Sequence, residues 1–128
     1  MRLVVEAPDY EAAVRFYRDT LGMPEELAVS GPDGAEVTIL DAGRATLELA
    51  NPAQKRYIDE VEVGRQVAPH LRVAFEVRDV DEATRRLVEA GAELIGQPIE
   101  TPWRSRNARL AAPAGVQLTL FEELDPQG

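Results

Sequence analysis

The chain repeats one phrase, and that repeat limits what it can fold into. Arg2-x-x-x-Glu6-x-x-Asp9 returns seventy residues later as Arg72-x-x-x-Glu76-x-x-Asp79. In each copy a short apolar run (Leu3, Val4, Val5; Val73, Ala74, Phe75) meets an aspartate, a helical pattern follows, and a glycine closes it at Gly22 or Gly91. Self-similarity at so long a period marks a duplicated module. With 128 residues, 45% of them hydrophobic, the chain has material for one compact core, so the copies must share it.

Local chemistry fills in each copy. Asp9 is placed to accept orphan amides as a helix N-cap, and Glu11 adds negative charge to the first turn. Ala13, Phe16, Tyr17 and Leu21 recur at helical spacing and predict the buried stripe, with Gly22 and Pro24 ending the helix. In the second copy Asp79 caps, Ala83, Leu87 and Ala90 form the predicted stripe, and Gly91 stops it. Three strand-like pieces follow each helix: Glu25–Ser30, Ala35–Leu40 and Ala45–Ala50, then Glu93–Ile99, Arg104–Ala111 and Val116–Glu122. Turns fall at Gly31–Gly34, Asp41–Gly43 and Pro113–Gly115.

The expected organisation is therefore a first βαβββ module over 1–50, a linker over 51–69, a second module over 70–124 and a frayed tail over 125–128. The linker is polar, carries two prolines and loses the alternation, and its run Lys55-Arg56…Asp59-Glu60 reads as a solvated face or part of a lid.

Strand alternation then sorts side chains by face. Leu3, Val5, Leu47, Leu49, Val73, Phe75, Val77, Val116, Leu118 and Leu120 are predicted to pack on the helices. The opposite face collects Arg2, Val4 and Glu6; Thr46, Glu48 and Ala50; Arg72, Ala74 and Glu76; and Gln117, Thr119 and Phe121. If the two sheets curl toward a common axis, these polar residues line a concave groove. The repeat suggests a symmetric lattice there, Arg2 near Glu76 and Arg72 near Glu6; a face simply open to solvent is the plainer alternative.

Acidic side chains outnumber basic ones 23 to 14, a formal charge of −9, which disfavours nucleic acid and anionic membranes as partners. Cysteine is absent, so thiolate chemistry, disulfides and cysteine-bound zinc are excluded. The start, MRLVVEAPDY, carries an acid and a proline too early for a secretory signal, and a cytoplasmic location is expected.

APDYEAAVRFYRDTLGM, ATLELANP and PWRSRNARLAAPAGVQLTLFEE resemble the strand-to-helix, fourth-strand and closing-hairpin strings of the vicinal oxygen chelate superfamily, which includes glyoxalase I, bleomycin resistance proteins and extradiol dioxygenases. The resemblance implies an α+β fold of two βαβββ modules forming a curved mixed-sheet half-barrel with a concave groove, commonly as a homodimer. It also implies metal ligands on the first and fourth strand of each module. Those positions fall here on Arg2, Glu48, Arg72 and Thr119, and of these only Glu48 suits a divalent cation, since a guanidinium offers no lone pair. His70, the sole histidine, is the other weak metal candidate beside Glu48. No cofactor is expected.

Pro102-Trp103-x-x-Arg106 further resembles the metal-free bleomycin-resistance branch, although Arg104 stands where that branch usually has glycine. Trp103 can stack on a flat or cationic ligand, and Phe121 can supply a second aromatic wall. The leading expectation is a metal-independent protein that binds a small molecule, as in sequestering an antibiotic or metabolite, with Arg2, Glu48, Arg72, Trp103, Thr119 and Phe121 around it. Against a cationic drug, Arg2 and Arg72 favour an anion. The alternatives are a divergent lyase, isomerase or dioxygenase, with Glu48 as base or with metal, and an interaction domain whose groove is closed by salt bridges.

Overall fold

The computed structural model describes residues 1–124, so the expectation for the tail over 125–128 lies outside the described residues. The first half contains β1 (Arg2–Glu6), α1 (Tyr10–Val14), β2 (Glu25–Ser30), β3 (Glu36–Ala42) and β4 (Ala45–Ala50). After α2 (Pro52–Glu62), the second half repeats the order with β5 (Leu71–Glu76), α3 (Val80–Glu89), β6 (Glu93–Glu100), β7 (Ser105–Ala112) and β8 (Val116–Glu123).

All eight strands join one sheet in the order β2-β3-β4-β1-β5-β8-β7-β6, open at β2 and β6. β1 is parallel to β4, β5 is parallel to β8, and β1 meets β5 antiparallel. The two βαβββ halves are thereby joined inside a single chain, and the α+β fold is a mixed sheet not closed into a barrel. No described helix is long and apolar enough to cross a membrane.

Two apolar clusters fill the space between sheet and helices. Val14, Leu40 and Leu49 pack with Val5, Tyr10, Ala13, Tyr17, Met23 and Leu47. Val80, Ala108, Leu110 and Leu120 pack with Val77, Ala83, Leu87 and Ala92. Asp9 caps α1 by accepting the Ala12 amide at 3.3 Å, and Asp79 caps α3 by accepting the Glu82 amide at 3.1 Å. Glu122 reaches across from β8 to take the Val80 amide at 2.8 Å, tying α3 to the sheet.

Four predicted stripe or packed positions are corrected. Phe16 and Leu21 are 56% and 63% exposed, because α1 continues as a π-helical turn over Arg15–Thr20. Its wider turn carries later positions off the packed face. Ala90 is exposed because α3 has ended at Glu89, and Phe75 is 41% exposed on a stretch of the helix side that no helix covers fully.

The linker is not a plain spacer. Asn51 caps α2, accepting the Gln54 amide at 2.8 Å, with Pro52 in the first turn where its missing N–H costs nothing. α2 lies over the concave side of the sheet, against β3 and β4 of the first half and β6 and β7 of the second, and two of its carboxylates point inward: Asp59 has no exposed surface and Glu62 is 5% exposed. The expected solvated face over Lys55–Glu60 is thus overturned at Asp59, which accepts the Val67 and Ala68 amides and pairs with Arg109.

Candidate functional site

The concave face of the sheet and the inner side of α2 enclose one large cavity of about 920 Å³. Strand alternation puts side chains from both halves into it, as the two-residue period requires. Arg2, Glu48, Arg72, Thr119 and Phe121 line it from β1, β4, β5 and β8, and Trp103 lines it from the loop before β7. His70 also borders it, but it is exposed, and the structure gives it no side-chain contact with Glu48.

The floor sorts its charges by register. Antiparallel pairing sets Arg2 opposite Ala74 and Val4 opposite Arg72, which puts Glu6 beside His70, its amide donating to the His70 carbonyl at 3.0 Å. The expected Arg2–Glu76 and Arg72–Glu6 pairs therefore do not form. Arg2 instead reaches Glu48 at 3.5 Å and Glu123 at 3.3 Å, with its guanidinium carbon 4.3 Å from the Phe121 ring centre. Glu6 meets Lys55 of α2 at 3.8 Å, and Arg72 donates from Nη1 to Thr119 Oγ1 at 2.6 Å.

Burial shapes the protonation of this floor. The Glu48 side chain is 15% exposed, and desolvation pushes its carboxyl above the ordinary glutamate range, with Arg2 and then Arg72 pulling the other way. Desolvation also pushes Arg72 down, partly offset by the charge of Glu62. At the mouth, the Trp103 and Tyr57 rings lie 6.0 Å apart at 59°. Arg104, next to Trp103, takes φ 64°, the left-handed conformation a glycine would take, while its amide donates to the Thr101 carbonyl at 3.2 Å. The turn is kept despite the side chain.

Two features, one buried beneath the cavity wall and one on it, were not anticipated. One is a buried network in which Arg109, with no exposed surface, pairs with Asp59 and Glu62 at 2.8 Å each, and Asn107 donates to Glu62 at 2.7 Å. The other is an apolar wall in which Leu27, Val29, Val37 and Ile39 join the expected Val4. The Asn51-Pro52 start signal could have revealed the helix that carries Asp59 and Glu62; nothing local in β2 marks Leu27 and Val29 as cavity-facing.

The family profile for the glyoxalase/bleomycin resistance protein/dioxygenase superfamily matches residues 2–120. The chain belongs to this superfamily. A relative from Streptomyces sp. (strain C5), the anthracycline biosynthesis protein DauV, is 34% identical over 116 residues, covering 89% of this chain but 38% of that protein. An ethylmalonyl-CoA/methylmalonyl-CoA epimerase of Cereibacter sphaeroides is 30% identical over 104 residues, covering 73% of this chain and 72% of the epimerase. In fold, a hypothetical protein of Bacillus halodurans C-125 superposes with a TM-score of 0.74 at 17% identity, covering 99% of this chain and 95% of that one.

The four positions where the sequence resemblance implies ligands hold two guanidiniums, one carboxylate and one hydroxyl, all on the cavity wall. Among the described residues no three His, Cys, Asp or Glu side chains converge as a metal-binding group. Two permanent cations at the ligand positions do not fit a divalent ion.

Proposed function

We propose that this protein is a metal-independent, small-molecule-binding member of the superfamily, holding an antibiotic-like compound or metabolite in the groove. The observation that carries the reading is that Arg2 and Arg72, at two of the four positions where the sequence resemblance implies metal ligands, bring guanidiniums to the cavity wall. A cavity of about 920 Å³ with a wide apolar wall supports it, being of a size and character suited to a compact organic ligand. The likeness to DauV, an anthracycline biosynthesis protein of which the chain spans 38%, makes an anthracycline-related compound one such ligand to test.

The test is thermal unfolding of chelator-stripped protein with and without Mn²⁺, Ni²⁺, Zn²⁺ or Fe²⁺. The expected result is an unchanged midpoint. A bound ion at about 100 times its dissociation constant would stabilise the fold by about 2.7 kcal/mol, a shift of several degrees. Such a shift, lost in Glu48→Gln, would overturn the reading. Titration with an anthracycline-type compound should quench Trp103, the single tryptophan, which stands at the mouth.

A second reading, a metal-free isomerase, is favoured by Glu48. A carboxyl raised by burial and facing a cavity suits proton transfer, and one relative is an ethylmalonyl-CoA/methylmalonyl-CoA epimerase. Its signature would be solvent deuterium entering an acyl-CoA thioester, abolished by Glu48→Gln with binding retained. Binding without exchange would leave the first reading in place.

A further inference from the structure

We propose that Arg72 is the anion-binding group of the groove, and that the ligand is a flat apolar molecule carrying a carboxylate or an equivalent pair of anionic oxygens. Its oxygens would lie on the Arg72 guanidinium and its body along Val4, Leu27, Val29, Val37 and Ile39. This deepens the small-molecule reading and rests on it.

The inference begins with hydrogen-bond accounting. Arg2 has Glu48 and Glu123, and Lys55 has Glu6. Arg109 is saturated by Asp59, Glu62 and Gln117. Arg72 has no carboxylate within ion-pair distance among the described residues, and its one hydrogen bond goes from Nη1 to the neutral Thr119 hydroxyl. A guanidinium is a planar fork of donors matched to two parallel oxygens, and here most of the fork faces the cavity unmatched. Glu48 and Glu62 act on Arg72 through space and keep its charge tolerable, but neither offers it a contact. Those donors are open to the cavity, and an incoming carboxylate would replace water on them with charge-assisted hydrogen bonds.

The apolar wall supplies the second half. Leu27 and Val29 are 51% and 46% exposed, and both face the cavity from β2, where water rather than protein meets them. Apolar surface of this kind gains by contact with an apolar ligand. Trp103 and Tyr57 at the mouth add aromatic faces suited to a planar body. A cationic head would be repelled by Arg72, and a fully polar ligand would leave the wall wet.

Anthracene-2-carboxylate and its neutral carboxamide have the same shape and differ at the head group, so the pair isolates the role claimed for Arg72. Both are titrated at pH 7 by Trp103 fluorescence and calorimetry. The expected result is a carboxylate preference of about tenfold or more, the scale of a charge-assisted hydrogen bond. The preference should vanish in Arg72→Gln and survive in weakened form in Arg72→Lys, which keeps charge but loses the fork. Equal binding of both compounds by the wild-type chain would overturn the role of Arg72 while leaving the groove a ligand site. Failure of both compounds to bind at millimolar concentration would count against the apolar groove itself. The wild-type comparison stands even if Arg72→Gln does not fold.

Discussion

Arg109, buried behind the groove wall, and Glu48, on that wall, carry charge under opposite conditions. Arg109 is enclosed with Asp59 and Glu62 and satisfied on every side, so removing it would strand two carboxylates away from water. Arg109→Met is expected to cost about 3–5 kcal/mol in urea denaturation, the usual penalty for breaking a buried pair from one side. Glu48 carries a burial penalty that its arginines do not fully offset, and its folded pKa lies above the ordinary value of about 4.5. The native state then binds more protons than the unfolded chain above that value, so stability falls as pH rises through the folded pKa. Glu48→Gln should remove this falling limb, and the gap in favour of the variant should widen with pH from about 4.5 until Glu48 is fully ionised, as read by denaturation at a series of pH values. Facing was legible at this scale because alternation is local: Arg2, Glu48, Arg72, Thr119 and Phe121 all meet the cavity. Partners were not, because which glutamate Arg2 meets depends on the pairing of β1 with β4 and β5, and no single strand encodes that register.

Among the elements, α2 shows how a polar segment becomes structural. Its composition suggests a solvated linker, yet Asp59 and Glu62 lie three residues apart on one helical face and turn toward Arg109. Gly96 in β6 makes room for its end: a Cβ there would stand 2.6 Å from the Glu62 carbonyl oxygen and 3.4 Å from the Arg109 Cβ. Backbone cannot step aside as a side-chain tip can, so Gly96→Ala is expected to cost about 1–3 kcal/mol, the range for overpacking. Hydrogen exchange should then quicken over residues 52–62, while α1 and α3 keep their protection. Unchanged exchange in α2 would mean that Gly96 does not govern its seat. The strands and α3 were legible because alternation, an aspartate cap and a closing glycine agree on them. Beyond Val14 the first helix was not, because its apolar spacing fits an α-helix and the chain forms a π turn instead.

At the scale of the whole molecule, duplication was the legible fact, and its consequence is that one chain builds the entire groove, through the antiparallel join of β1 and β5. That join also leaves an apolar strip on the helix side between α1 and α3. Leu71 and Phe75, on one face of β5, are 50% and 41% exposed, with Val73 between them and Leu3 and Leu118 beside Val73 in register. We propose that a second copy covers this strip in a homodimer, since exposed apolar surface of this kind drives association and a twofold contact needs only one self-complementary patch. Because both halves of the groove come from the same chain, such a dimer needs no exchange of modules, and association and ligand binding should separate. Phe75→Glu places like charges against each other across the contact and should convert a dimer to a monomer in sedimentation equilibrium. Quenching of Trp103 by an anthracycline-type compound should persist in that monomer. A wild-type chain that sediments as a monomer at high micromolar concentration would remove the dimer, and loss of binding together with dissociation would show that the groove depends on the partner after all.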